Sequence, residues 1–201
     1  MDAAAAHNCE MPKISAPTVA EHRAMQRAAL VRAGEAVLLE SGLAAVTPRS
    51  VCERAGLARS SFYDYFATKD DLLVAIAIAA IEQWDAEIEQ ELTGAEPGLG
   101  ELRRFIDATM EMTAAGKHAI AGALSDANLS PSRLEDLMTL HDALLRPLVR
   151  VLSHLGLSES KSAVALVQGI LGAGVQLVSH GVDHRAVADD VYRLITRGLT
   201  D

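Results

Sequence analysis

The sequence predicts a nearly all-helical protein of about nine helices. Alanine is abundant and aromatic residues make up only 3% of the 201 residues, and alanine is the strongest helix former. No long stretch alternates apolar and polar residues as a half-buried strand would. Capping residues and glycines punctuate the apolar runs where helices would begin and end. Half of the residues are apolar and 22% are charged, a balance that excludes a disordered chain. The length suits one large domain, or a small domain joined to a larger one.

Residues 1–18 show no sustained period and read as a flexible arm. A helix is expected over Val19–Ser41, with Leu30, Gly34, Val37, Leu38 and Ser41 on one side and Gly42 as its stop. In "VTPRSVCERAG" Thr47 is a good N-cap, Pro48 fits the first helical position, and Gly56 closes a short helix. Another short helix covers Arg59–Phe66. Thr68 and Asp71 form a capping-box pattern that opens a helix to about Leu92, with Leu73, Ala77, Ala80, Trp84 and Ile88 as its stripe. Thr93–Gly100 reads as a linker. Helices are then expected over Leu102–Thr113 and His118–Leu124, and Ser130-Pro131 would open a longer helix or a bent pair reaching Leu155. Ser158 would open Glu159–Ser179, and Asp183 would cap His184–Leu199.

The formal net charge is -9, but it is unevenly spread. Lys13–Lys69 carries a net +3 and Asp70–Asp201 a net -10. A mildly basic head on an acidic body excludes a generic basic nucleic-acid coat and still allows local DNA binding. Cys9 and Cys52 fall in the arm and in a helix, so no disulfide framework is expected. There is no secretory pattern. The apolar stretch Ala163–Val178 is interrupted by Gln168 and Gln176 and reads as a buried or interface helix. The expectation is a cytoplasmic protein with no membrane partner.

The two short helices around Gly56 have the length of a helix-turn-helix, whose second helix enters the major groove while the first braces it. Arg59, Ser60, Ser61, Tyr63 and Tyr65 supply hydrogen-bonding groups. Phe62 and Phe66, four apart, would pack inward, and Lys69 can reach a phosphate from the flank. Arg23, Arg27 and Arg32 add positive charge to the first helix, either toward DNA or simply solvated. The competing reading of the pair is a solvated face on an ordinary helical protein.

The ordered set Leu30-Val31, Ala33-Gly34, Glu40, Gly42, Thr47, Ala55-Gly56, Phe62-Tyr63-Asp64-Tyr65-Phe66 and Lys69-Asp70-Asp71-Leu72 resembles the N-terminal domain of the TetR family of transcriptional regulators. Departures from the family pattern are Pro48, Cys52, Ala58 and Ser60. Ala58 is a poor cap. The resemblance implies a DNA-binding domain over residues 19–68 and a helical effector-binding and dimerisation domain over residues 69–201. It implies phosphate contacts from Thr47, Tyr63, Tyr65 and Lys69. Arg49, Arg59, Ser60 and Ser61 are the candidates for base edges, with Pro48 beside them. The expected activity is a repressor released from an inverted-repeat operator by a small molecule. An activator or partner-controlled regulator of the same fold, or a helical interaction module, are the alternatives.

One short recognition helix reads few base pairs, so two copies are expected. Val164, Val167, Leu171, Val175 and Val178, with Val187, Val191 and Leu194, would form the homodimer contact, with burial inside one subunit as the alternative. The candidate effector-pocket residues are Trp84, Phe105, Met110, Met112 and Met138, with His118, Asn128, His141 and Asp142 as polar candidates; core packing or plain surface is the favoured alternative for each. His180 and His184 are four apart, but Gly181 and Asp183 break the helix between them. No metal site, cofactor or catalytic motif is expected.

Overall fold

The structure is a computed structural model that describes residues 18–117, 119, 120, 123, 145–157 and 160–199. Among the described residues it contains seven α-helices, two 3-10 helices and no strand. These are α1 (Val19–Ser41), a 3-10 turn (Leu43–Ala45), α2 (Pro48–Ala55), a 3-10 helix (Arg59–Asp64), α3 (Lys69–Leu92), α4 (Leu99–Ala114), α5 (Arg146–His154), α6 (Lys161–Ser179) and α7 (His184–Leu199).

The caps follow local chemistry. Thr18 and Glu21 make a capping box at the start of α1, and Thr68 and Asp71 make one at the start of α3; each pair satisfies two backbone donors that the first turn leaves open. Gly42 ends α1 with φ 76°, a conformation that side chains with a Cβ disfavour. Two expected boundaries shift. Ser160, not Ser158, caps α6, accepting from the Ala163 amide. α4 starts inside the expected linker, at Leu99. The expected helix over His118–Leu124 and the part of the Ser130–Leu155 helix before Leu145 lie largely outside the described residues.

Two hydrophobic cores result. The head core gathers Leu30, Val37, Leu38, Val46, Val51, Phe62, Phe66, Leu72 and Ile76 from α1, α2, the 3-10 segments and the first half of α3. Ile120, from beyond α4, is buried in it too. The body core joins Ile88 and Leu92 of α3 to Leu102, Phe105, Ile106 and Met110 of α4, and to residues of α5, α6 and α7. Within the body α4 is the central helix, packed on both α6 and α7. Its two buried threonines return their hydroxyls to the ladder, Thr109 to the Phe105 carbonyl at 2.8 Å and Thr113 to the Thr109 carbonyl at 2.7 Å. The buried Glu101 carboxylate lies 2.7 Å from Nδ1 of His154 on α5.

Gly174 sets how closely α6 meets its neighbours. A Cβ there would sit 2.8 Å from Met110 Cε and 2.9 Å from Val191 Cγ2. Gly174→Val should therefore overpack the body core and cost about 1–3 kcal/mol. Chemical denaturation reads this, and Met110→Ala in the same chain should recover part of it by vacating the space.

Candidate DNA interface

The geometry begins with α2. Thr47 Oγ1 accepts the Ser50 amide at 3.1 Å, and the Thr47 amide donates to Ser50 Oγ at 3.0 Å. Ser50 Oγ also lies 2.7 Å from the Ala45 carbonyl and donates to it. Pro48 occupies the first turn, where its missing N–H costs nothing. Gly56 adopts the left-handed conformation (φ 69°), and the Leu57 amide returns to the Cys52 carbonyl at 2.9 Å. This turn delivers the chain into Arg59–Asp64.

The short helix expected over Arg59–Phe66 is a 3-10 helix and ends two residues earlier, at Asp64. The physical reason is at its start. Ala58 offers no side-chain cap, and a short run with open amides tightens readily to i→i+3 bonding. Phe62 is fully buried and Phe66 nearly so, their ring centroids 5.7 Å apart. Cys52 lies buried beneath them; burial pushes its thiol up from its ordinary value, against a weaker opposite pull from the Phe62 backbone.

The expected DNA-facing residues take distinct places. Arg59, Ser60 and Tyr63 are exposed, Tyr63 at 58%. Among the described residues their polar side-chain atoms have no hydrogen-bond or ion-pair partner. Ser61 and Pro48 are half-buried and Thr47 is exposed. Arg49 is exposed and pairs with Glu53 one turn on, at 2.8 Å; that hydrogen bond holds its guanidinium further above its ordinary pKa. Lys69 is half-buried, and its ammonium donates to the Leu43 carbonyl at 2.7 Å, leaving two further N–H donors. Tyr65 turns back toward α1: it is half-buried and donates to Gln26 Oε1 at 2.5 Å. Gln26 is absent from the motif reading, although it stands four residues before the buried Leu30 and so shares its face.

α1 and α2 are locked at their C-terminal ends by Arg54, whose two terminal nitrogens each donate to a Glu40 carboxylate oxygen at 2.6 Å. This bidentate contact holds the Glu40 carboxyl below its ordinary value.

In the body, the expected effector residues divide. Phe105 and Met110 are core side chains. Trp84 meets Phe105 edge-on at 6.4 Å. Trp84 and Met112 line a cavity of about 210 Å³ with Glu35, Gln83, Glu87 and Lys117. Met112 also lines a second cavity of about 410 Å³, whose walls include Glu87, Glu91 and Glu111. His118, Asn128, Met138, His141 and Asp142 lie outside the described residues.

Of the expected dimer residues, Val167, Leu171, Val178, Val187 and Val191 are buried in the chain's own body core, while Val164 and Val175 are half-buried. Leu194 is 63% exposed. The opposite side of α6 exposes Leu166 (68%) and Leu177 (51%), with Gly169, Gly172 and Ala173 between them. By length and composition alone α6 could cross a membrane.

Two outcomes check this geometry. Phe62→Ala should cost about 3–5 kcal/mol of stability, whereas Tyr63→Ala should stay within about 0.5 kcal/mol; urea titration separates them. Because the fold lowers the Glu40 pKa, the stabilisation is present above the ordinary carboxylate value and is lost as pH falls through the lowered one. NMR titration should show the Glu40 carboxyl returning toward its ordinary value in Arg54→Ala.

Comparison with known proteins agrees with this architecture. Residues 30–76 match the family model of bacterial regulatory proteins, tetR family. No curated protein matches the sequence. Among solved structures, a transcriptional regulator from Pseudomonas aeruginosa PAO1 is 17% identical, with TM-score 0.73 over 88% of this chain and 90% of its own. The regulator FadR from Bacillus subtilis, in complex with stearoyl-CoA, is 20% identical, with TM-score 0.69 over 87% and 98%. RolR in complex with resorcinol is 22% identical, with TM-score 0.58 over 90% of each chain. At these identities the likeness is one of fold, and residues 30–76 carry the domain of the bacterial regulatory proteins of the tetR family.

Proposed function

We propose that the protein acts as a homodimeric repressor that binds an inverted-repeat operator and leaves it when a small molecule occupies the body. The observation that carries this reading is the unsatisfied edge of the recognition segment. Arg59, Ser60 and Tyr63 hold their polar groups in solvent on a segment fixed from behind by two buried phenylalanines. Residues 19–68 then serve as the reading head and residues 69–201 as the effector-binding and dimerisation body. Thr47, Tyr63 and Lys69 meet phosphates, which fix register. Arg49, Arg59, Ser60 and Ser61 approach base edges, which supply sequence preference, with Pro48 setting the start of the bracing helix.

The dimer forms through the exposed side of α6 and α7. Leu166, Leu177 and Leu194 supply apolar area there, and Gly169 and Gly172, with open space where a Cβ would stand, admit a close helix. The expected Val164 and Val175 edge this surface, while Val167, Leu171, Val178, Val187 and Val191 support it from inside. An effector suits the cavities beside Trp84 and Met112, with Phe105 and Met110 as their apolar backing. The carboxylates of Glu87, Glu91 and Glu111 favour a neutral or cationic molecule. Ligands bound to FadR from Bacillus subtilis and to RolR support effector binding in this fold. A ligand releases DNA only to the extent that it binds one head separation better than another.

Sequencing genomic fragments retained by the purified protein at about 0.15 M salt should enrich an inverted repeat, because phosphate contacts alone discriminate poorly at that ionic strength. Arg59→Ala should flatten base preference at a position in each half-site, by about 1–3 kcal/mol if the contact is bidentate. Tyr63→Ala should weaken all duplexes alike. Leu166→Glu with Leu177→Glu should give a monomer by sedimentation and abolish retention of the repeat. Reporter output that rises when the gene is removed, and with effector present, would match repression. A wild-type protein that retains no duplex selectively even at low salt would overturn the reading.

A further inference from the structure

We propose that Gln26 and Arg23 of α1 are positioning residues for the recognition segment, and that Tyr65 serves the interface through them and not by touching DNA. This rests on the DNA-binding reading above and deepens it.

The segment Arg59–Asp64 has little means of holding its own direction. Its 3-10 hydrogen bonds have poorer geometry than an α-helical ladder, and its first residue has no side-chain cap. Its far end, however, is tied down residue by residue. The Asp64 carbonyl accepts Nη2 of Arg23 at 2.9 Å. The Tyr65 hydroxyl donates to Gln26 Oε1 at 2.5 Å. The Arg23 guanidinium lies over the Tyr65 ring at 5.5 Å, and that of Arg27 over the Phe66 ring at 5.2 Å.

Positions 23, 26 and 27 share one face of α1 by their i, i+3, i+4 spacing. That face continues into Leu30, which is fully buried in the head core. Three consecutive residues, the last of the segment and the two that follow it, are thus referenced to about one turn of a helix that the core itself fixes. The carbonyl contact is charge-assisted, and such bonds are roughly twice as strong as neutral ones.

The chemistry of Tyr65 excludes a simultaneous second role. A phenol has one hydrogen to donate, and Gln26 takes it. A phosphate oxygen can only accept, so Tyr65 would have to leave Gln26 to bind one. Arg23, itself exposed, is likewise committed to a carbonyl and a ring, whereas Arg59 has no hydrogen-bond or ion-pair partner among the described residues. The angle at which Arg59, Ser60 and Tyr63 are presented is therefore set from α1.

The test uses the full-length protein with Gln26→Ala, Tyr65→Phe, their double variant and Arg23→Ala. The duplex is the sequence most enriched by the wild type, alongside an unrelated duplex of equal length, each titrated over a range of salt. Gln26→Ala and Tyr65→Phe should each weaken the enriched duplex about 3–10-fold, the range expected for one hydrogen bond. The unrelated duplex should change less than about 2-fold. The double variant should be no worse than either single, because both remove one bond. In all four variants the slope of log affinity against log salt should match the wild type, since a lost phosphate contact would reduce it by about 0.9. In the free protein, amide hydrogen exchange at Tyr65 and Phe66 should accelerate in both single variants while the melting temperature holds.

The proposal is overturned if Tyr65→Phe weakens both duplexes equally with a shallower salt slope while Gln26→Ala changes nothing. It is also overturned if exchange at Tyr65 and Phe66 is unaffected. If the wild type selects no duplex, the DNA-binding reading fails instead, and the exchange measurement still decides the positioning role.

Discussion

The fold depends on one helix serving two cores. α3 contributes Leu72, Leu73, Ala75, Ile76 and Ala77 to the head core, and Ile88 and Leu92 to the body core. At 24 residues it is about 36 Å long. A continuous hydrogen-bonded helix transmits tilt with little bending, so the head cannot turn relative to the body without shifting α3 or breaking one of its packed ends. The head end is especially tight. At Gly34 of α1 a Cβ would meet Ile76 Cδ1 at 2.9 Å, so the Leu72 and Ile76 side chains of α3 lie directly against the α1 backbone. Ile120, buried in the head core from beyond α4, is a second link between the halves. A change in the body thus reaches the head through packed side chains that have few alternative arrangements.

This division of labour explains how the weakest local structure in the head is nonetheless held in one place. α1, α2 and α3 carry reciprocal caps at their N-termini, and their directions are secured both locally and by packing. Arg59–Asp64 has neither a cap nor an α-helical ladder. Its position comes from Phe62 and Phe66 below it and from α1 at its C-terminal end. A short segment fixed by tertiary contacts leaves the polar groups of Arg59, Ser60 and Tyr63 without partners among the described residues, while the Tyr63 ring still meets Phe62 edge-on at 5.4 Å.

Much of this was legible in the sequence, because the strongest signals there are local. Thr47-Pro48, Thr68 with Asp71, Gly42, Gly56 and Asp183 mark helix ends by backbone chemistry, and the structure places helix ends at each. Phe62 and Phe66 are legible as inward by their spacing. What was not legible depends on partners distant in sequence. Tyr65 reads as another outward hydroxyl until Gln26, 39 residues earlier, is brought beside it. Lys69 reads as a free cation until the Leu43 carbonyl meets it. The 3-10 character of the recognition segment is hinted at by Ala58, but the choice between the two helix types is decided by packing. The pocket was the least legible. Trp84, Phe105, Met110 and Met112 have the same apolar signature whether they line a cavity or fill a core, and the structure divides them between the two.

α6 shows the same limit from the other side. Its sequence is apolar on more than one face, which says that two faces need cover without saying which face meets which neighbour. Packing resolves it. The Val167, Leu171, Gly174 and Val178 face goes to α4 and α7, and Gly174 is the residue that allows Met110 and Val191 to come so close. The remaining side carries Leu166 and Leu177 beside Gly169, Gly172 and Ala173. Small residues within a single chain's core leave voids unless another backbone comes near, and among the described residues nothing lies within 4 Å of where a Cβ would stand at Gly169 or Gly172. Leucines exposed beside such a strip lose nothing structural by meeting another helix and gain burial of apolar area. Since α6 is anchored through α4 to the core that α3 shares with the head, a contact made on its outer side fixes the separation of two heads as firmly as it fixes two bodies.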